Sequence, residues 1–143
     1  MINFGSTFLD STSSKSYDQV QQEISQQIDQ KGLEPSSQEA EEFGQTYFQE
    51  NFKFSTVQKV ADHIDHVVDL VGVEHVGLGS DYDGVGPTLP EGLKDVSTYP
   101  NLIRELLKRG YTEDEIQQIC SGNIFRVWNQ VNRVAKTMQS GEW

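Results

Sequence analysis

From Val57 to Val71 apolar residues recur at three- and four-residue steps: Val57, Val60, Ala61, Ile64, Val67, Val68 and Val71. That spacing predicts a helix with a single buried face. Ser55 or Thr56 supplies its N-cap, and Gly72 ends it. Val73 to Leu78 follows as a short apolar run, suited to a buried strand of a parallel sheet. Residues 79–96 collect Gly, Pro and Asp and predict a loop. Pro100 opens another helix near its first turn. That helix is expected to bury Leu102, Ile103, Leu106 and Leu107 and to stop at Gly110. Thr112-Glu113-Asp114-Glu115 is a capping-box sequence and starts a short helix to Cys120. A last helix, entered at Asn123, carries Ile124, Val127, Trp128, Val131, Val134 and Met138 on one side.

Ahead of residue 55 the pattern is weaker. Met1-Ile2-Asn3-Phe4, followed by Gly5-Ser6-Thr7, reads as a buried strand leaving a sheet, so the chain is expected to lack its beginning. Residues 5–15 are rich in Ser and Thr and read as loop. A helix is expected over Ser16–Gln30, with Tyr17, Val20, Ile24 and Ile28 on a narrow stripe and Gly32 as its stop. Ser36 or Ser37 then caps a second helix reaching about Phe48, with Ala40, Phe43, Tyr47 and Phe48 on its apolar side. Residues 5–54 therefore read as a helical excursion between two more regular pieces. Two strands separated by a helix suggest a parallel βαβ unit. Two strands alone do not make a sheet covered on both faces. Either further chain completes the sheet, or the protein is mainly helical with one short extended segment.

Composition narrows the functional classes. The 143 residues could form one domain. Hydrophobic residues make up 35% and the mean hydropathy is −0.57, so the core is lean. A net charge of −11 repels phosphate backbones and anionic lipid, so nucleic acid is not an expected partner. No apolar run approaches the ~18 residues of a membrane span. The N-terminus has neither the charge nor the apolar stretch of a signal peptide. The tail, Ser140-Gly141-Glu142-Trp143, carries no lipidation signal. One cysteine, Cys120, excludes an internal disulfide and a multi-cysteine zinc site, and its helical neighbours Ile116 and Ile119 predict a buried, inert thiol.

Two segments carry candidate chemistry. Asp62-His63-Ile64-Asp65-His66 resembles a metal-binding run. At 100° per residue, however, the apolar arc centres near Ile64 and Val71, which turns His66 to the opposite side and His63 to the flank. His75 precedes the strand and so lies at its N-terminal end, where barrels place stability rather than catalysis. Gly77-Leu78-Gly79-Ser80-Asp81-Tyr82-Asp83-Gly84 is the stronger candidate. Counted as a calcium loop with Gly84 at position 6, it puts Gly79 at position 1 and Pro90 at position 12, and both fail. As a strand end it places Asp81 where α/β enzymes keep their working groups. Gly77 and Gly79 would admit close approach, and Asp83-Gly84 would turn the chain away. A carboxylate at such a position can orient or deprotonate a metal-bound water. The alternative is that both aspartates cap local turns.

Several segments together are similar to the membrane (renal) dipeptidase family. They are Ala61-Asp62-His63-Ile64-Asp65-His66, Val76 through Val85, Leu89 through Ser97, Tyr99-Pro100 and Gly122-Asn123-Ile124-Phe125-Arg126-Val127, with Met1–Phe4 matching the preceding strand. The resemblance covers about residues 1–8 and 55–135. It implies an α/β fold, the C-terminal part of a (β/α)8 TIM barrel. Met1–Phe4 would be its seventh strand, Val76–Ser80 its eighth, 5–54 a helical insertion and 55–143 the last helix–strand–helix segment. It further implies a dizinc enzyme that hydrolyses dipeptides with a bridging water. The zinc ligands are a His-x-Asp pair, a Glu and two histidines, all expected upstream of Met1. None of His63, His66 or His75 matches a ligand position, so no zinc is expected on this chain alone. Asp81 matches the family's catalytic aspartate, with Gly79, Asp83 and Gly84 shaping the loop around it. The implied partner is a dipeptide substrate, with a homodimer possible for the intact enzyme. The rival expectation is a truncated, non-catalytic product or an acidic helical module that binds another protein.

Overall fold

The computed structural model describes residues 1–141; Glu142 and Trp143, the end of the tail read above for lipidation, lie outside the described residues. The α-helices are α1 (Ser6–Leu9), α2 (Ser11–Gln30), α3 (Gln38–Asn51), α4 (Val57–Val71), α5 (Tyr99–Lys108), α6 (Glu113–Gln117) and α7 (Asn123–Ser140). Short 3-10 turns occupy Val73–His75, Gly86–Thr88 and Val96–Thr98, and a π turn Gln118–Gly122 joins α6 to α7.

The main core forms around α4. Thr56 caps the helix through its side chain, and Gly72 leaves it with φ 93°. Val57, Val60, Ala61 and Ile64 are buried; Val67 and Val68 are half-buried, and Val71 is exposed. Against this face lie Phe4, Leu9, Val76, Leu89, Leu93, Leu102, Leu106, Ile116 and Ile119. Each apolar side chain so removed from water contributes roughly 1.5–3 kcal/mol. The apolar periodicity of α4 thus gathers both ends of the chain.

The two extended segments pair, but only barely. Ile2 and Leu78 form an isolated parallel bridge. The Ile2 N–H donates to Gly77 O at 2.7 Å, and the Gly79 N–H donates to Ile2 O at 2.9 Å. The strand expected from Val73 does not form. Val73–His75 is a 3-10 turn, closed by the His75 and Val76 N–H groups on Gly72 O and Val73 O. Having left α4 at Gly72, the chain must reverse before it can lie beside Ile2, and the reversal consumes the first half of the apolar run. A second parallel bridge joins Thr56 to Glu91.

The Ser/Thr-rich stretch expected to be loop is helical. Asp10 accepts from Thr12 N at 2.7 Å and starts α2 at Ser11, five positions before the predicted Ser16. Its hydroxyls are used in packing rather than in turns. Ser13 and Ser16 are buried, and Ser16 Oγ accepts from Lys53 N at 3.0 Å. Ser37 caps α3, which runs three residues past Phe48 to Asn51. Val20, Phe48 and Phe52 form a second cluster with Tyr17, Ile24, Tyr47 and Phe54, separate from the main core. Lys94 joins the two regions: its ammonium lies 3.5 Å from the Phe54 ring centroid and donates to Leu89 O.

Apolar positions besides Val71 are open. Leu107 is 49% exposed, on the rim of the α5 stripe. Cys120 is exposed because it sits in the π turn, whose wider winding keeps Ile119 inward and turns its neighbour out. Partial burial still pushes its thiol up, away from reactivity. The apolar side of α7 is open: Ile124, Val127, Trp128, Val131, Val134 and Met138 are all exposed, and only Asn123 in that helix is buried.

Tyr82 packs against Phe4 and Tyr99 and donates to Asp95 O at 2.9 Å. Burial, and then the neighbouring Tyr99, push its phenol up to about 12. Unfolded tyrosine ionises near pH ~10. The unfolded state therefore releases this proton first, and stability falls as pH rises from about 10 towards 12. Urea-unfolding midpoints at about pH 8 and about pH 11 should differ less in Tyr82→Phe than in the native chain. An equal difference would refute this account.

Candidate active site

Asp81 lies three residues beyond the Ile2–Leu78 bridge. It is the one non-glycine residue with positive φ among the described residues, at φ 57°. The left-handed region costs an L-residue roughly 1–2 kcal/mol, and Asp tolerates it better than most. Its carbonyl accepts from the N–H groups of Gly84 at 3.0 Å and Val85 at 3.2 Å, which closes the turn. Its carboxylate is exposed, and Oδ2 accepts from Asn3 Nδ2 at 2.9 Å. The Asn3 amide is tied at its other end, where Oδ1 accepts from Gly5 N at 2.7 Å.

The loop residues predicted beside Asp81 differ in what they do. Gly84 is required by space, since a Cβ there would run into Asp81 Oδ1. Gly79 permits a close approach of a different kind: its added Cβ would sit 3.0 Å from Met1 Cβ, against the paired segment rather than against Asp81. Asp83 is exposed within the turn and makes no side-chain hydrogen bond among the described residues. Asn3 was not singled out from the sequence. Its signal was a polar side chain inside an otherwise apolar extended run, one residue from the position that pairs with Leu78.

A cleft of about 440 Å³ opens beside this turn, between α1–α2 and residues 84–88. Phe8, Tyr17 and Asp18 line it on the helical side, with Val85 and Pro87 opposite. The helical excursion thus borders the same turn that carries Asp81.

The Asp62–His66 run is absorbed by structure. Arg109 Nη1 reaches Asp62 Oδ1 at 2.9 Å and Asp65 Oδ2 at 2.6 Å, and Arg109 Nε reaches Glu105 Oε1 at 3.0 Å. Burial opposes the guanidinium charge, but its bonds to Asp65, Asp62 and Glu105 outweigh that and raise its pKa. Tyr111 also donates to Asp65, at 2.8 Å. The motif's acids therefore hold α4 to α5. His63 Nε2 lies 3.0 Å from Leu9 O and joins α4 to the end of α1. His66 and His75 are exposed. Among the described residues no three of His, Cys, Asp and Glu come together as a metal-binding group. Asp81 has an amide beside it rather than a second acid or imidazole. Among the described residues the side chains brought together here do not form a metal-ligand set.

The described residues are mostly helical: the strands expected at Met1–Phe4 and Val76–Ser80 are reduced to the single parallel Ile2–Leu78 bridge, with Asp81 three residues past it. The chain belongs to the membrane dipeptidase family, peptidase family M19, whose model matches residues 1–142. It is 52% identical over 81 residues to Dipeptidase 3 of Mus musculus, covering 57% of this chain and 16% of that protein. To Dipeptidase aclJ of Aspergillus oryzae it is 48% identical over 84 residues, covering 59% of this chain and 20% of that protein. The chain thus spans a minor part of the length of these relatives. In fold it is similar to the probable dipeptidase PvdM from Pseudomonas aeruginosa, with TM-score 0.60 and 24% identity, over 92% of this chain and 36% of that one.

Gly84→Ala must displace either the turn or the Asp81 carboxylate. It is expected to break the Asn3–Asp81 hydrogen bond and to lower stability by about 1 kcal/mol. Denaturant unfolding checks the second effect, and an unchanged midpoint would contradict the packing described.

Proposed function

We propose that this chain supplies one edge of a metal-dependent dipeptidase active site, with Asp81 as its catalytic group. The observation that carries the reading is the place of Asp81. It sits just past the paired extended segment of a chain that belongs to the membrane dipeptidase family, and the sequence resemblance sets it where that family keeps its catalytic aspartate. In this reading residues 1–4 and 76–80 are the last two strands of a (β/α)8 barrel, and 55–143 is its closing helix–strand–helix segment. The parallel sense of the Ile2–Leu78 pair supports that assignment, as does the likeness in fold to PvdM. Residues 5–54 are a helical insertion on the active-site face, a placement supported by the cleft shared by α1–α2 and residues 84–88.

The reaction is hydrolysis of a dipeptide amide. Water adds to the carbonyl carbon and the C–N bond breaks. Asp81 takes a proton from the attacking water and delivers it to the departing amine nitrogen. The resemblance assigns the Lewis-acid part of this chemistry to two zinc ions held by residues outside this chain. Gly84 leaves room for the Asp81 carboxylate, while Gly79 and Asp83 shape the segments on either side. A dipeptide is the partner, and the intact enzyme is a candidate homodimer.

The purified 143-residue chain, supplied with Zn2+ and a panel of dipeptides, is expected to release no amino acid. Zinc-dependent cleavage by this chain alone would refute the assignment of the metal ligands to other residues. An upstream reading frame encoding a His-x-Asp pair, a Glu and two histidines would support the enzyme. A start signal at Met1 without them would favour the rival, a non-catalytic module that binds another protein. The open apolar side of α7 is the observation in that rival's favour.

The insertion has its own test. Removing residues 16–50 from the intact enzyme is expected to change KM unequally across several dipeptides, because Tyr17 and Asp18 line the cleft that reaches Gly84, at the end of the Asp81 turn. An unchanged KM for all of them would leave the hairpin as a decoration of the surface.

A further inference from the structure

We infer that Asn3 is a positioning residue for Asp81, fixing which way the carboxylate faces. The inference rests on the reading of Asp81 as the group that handles the proton. Asn3 and Asp81 are 78 residues apart, yet Nδ2 lies 2.9 Å from Oδ2. The amide has one productive orientation. With Nδ2 on the carboxylate, Oδ1 accepts from Gly5 N at 2.7 Å. Turned over, it would set an acceptor against a carboxylate oxygen and a donor against an N–H, losing both bonds.

The backbone of Asn3 is fixed on each side. Ile2 is held by its two hydrogen bonds to Gly77 and Gly79, and the Phe4 side chain is fully buried. The other end of the contact is fixed too. Asp81 sits in the left-handed region with its carbonyl closing the turn, and Oδ1 occupies the space left by the missing side chain of Gly84. One oxygen is tethered and the other is housed. The carboxylate therefore has a defined direction even though the residue is exposed.

The chemistry of an amide suits this task. A lysine or arginine would hold the carboxylate as a permanent ion pair, and a second acid would compete with it for the proton. Asn3 donates without titrating, so it orients Asp81 and leaves the gain and loss of a proton to Asp81 alone. A carboxylate that must first take and then return a proton needs its direction kept in both states.

NMR of the 143-residue chain tests this without any assay of activity. In the native chain the Asp81 Hα–Hβ couplings should report a single side-chain rotamer, and in Asn3→Ala they should average. Exchange of the Asn3 side-chain amide should accelerate about tenfold in Asp81→Ala, the factor expected on losing a hydrogen bond to a charged group. Asn3→Asp keeps the acceptor for Gly5 N but loses the donor, so it should retain the fold and still release the Asp81 rotamer. Averaged couplings in the native chain, or a single rotamer persisting in Asn3→Asp, would overturn the inference. Should Asn3→Ala fail to fold, the Asn3 amide exchange in Asp81→Ala still decides. A negative result would leave the dipeptidase reading standing. Conversely, full activity of Asp81→Asn in the intact enzyme would end that reading while leaving the Asn3–Asp81 contact as measured.

Discussion

One pair of backbone hydrogen bonds governs the Asp81 end of this molecule. Ile2 exchanges them with Gly77 and Gly79, and among the described residues no other sheet-like pairing brings the N-terminal segment to the Asp81 turn. Everything at the candidate site follows from that contact. It places Asn3 within reach of Asp81, sends Phe4 into the core against Tyr82 and Tyr99, and sets α1 beside the loop at residues 84–88. Such a bridge is weak alone, since one pair of net hydrogen bonds is worth about 1–3 kcal/mol. It persists because the side chains on either side, Phe4 and Val76, are buried in the cluster organised by α4.

The charged residues differ in how far they are paired. Asp62 and Asp65 share Arg109 with Glu105, and that network joins α4 to α5. Asp81 has a neutral amide instead. A carboxylate that shares a guanidinium is committed to that ion pair, whereas one bonded to an amide has no charged partner. The same contrast separates the histidines: His63 is occupied at the end of α1, while His66 and His75 face outward. Two apolar clusters, one around α4 and one between α2 and α3, meet through Lys94 on Phe54 and through the Ser6 and Ser16 hydroxyls. These polar joints set the helical hairpin against the loop at residues 84–88.

Periodicity made the span of α4 legible, because one strong stripe ends at a Gly stop, while the choice between Ser55 and Thr56 as cap falls to the structure, which uses Thr56. The Thr112–Glu115 capping box and the Pro100 helix start were legible for the same local reason. Asp81 stood out as a candidate from its setting: an acid after a short apolar run, followed by a glycine turn. The helical start of α2 was not, because hydroxyl-rich sequence serves turns and helix packing equally well until its partners are known. Nor was the reversal at Val73–His75, since β-branched and apolar residues suit a strand until the chain has to turn back.

The sequence by itself determined the helices with strong caps and stops, the acidic character and the choice of candidate group, because caps, stops and spacing act over a few residues. Only the tertiary structure decided what that group touches. The Asn3–Asp81 bond spans 78 positions, and the space beside Gly84 exists only once the turn is closed. Long-range hydrogen bonds and steric room depend on where the chain returns. That is set by the burial of α4 and the Ile2–Leu78 pairing, and no local pattern records it.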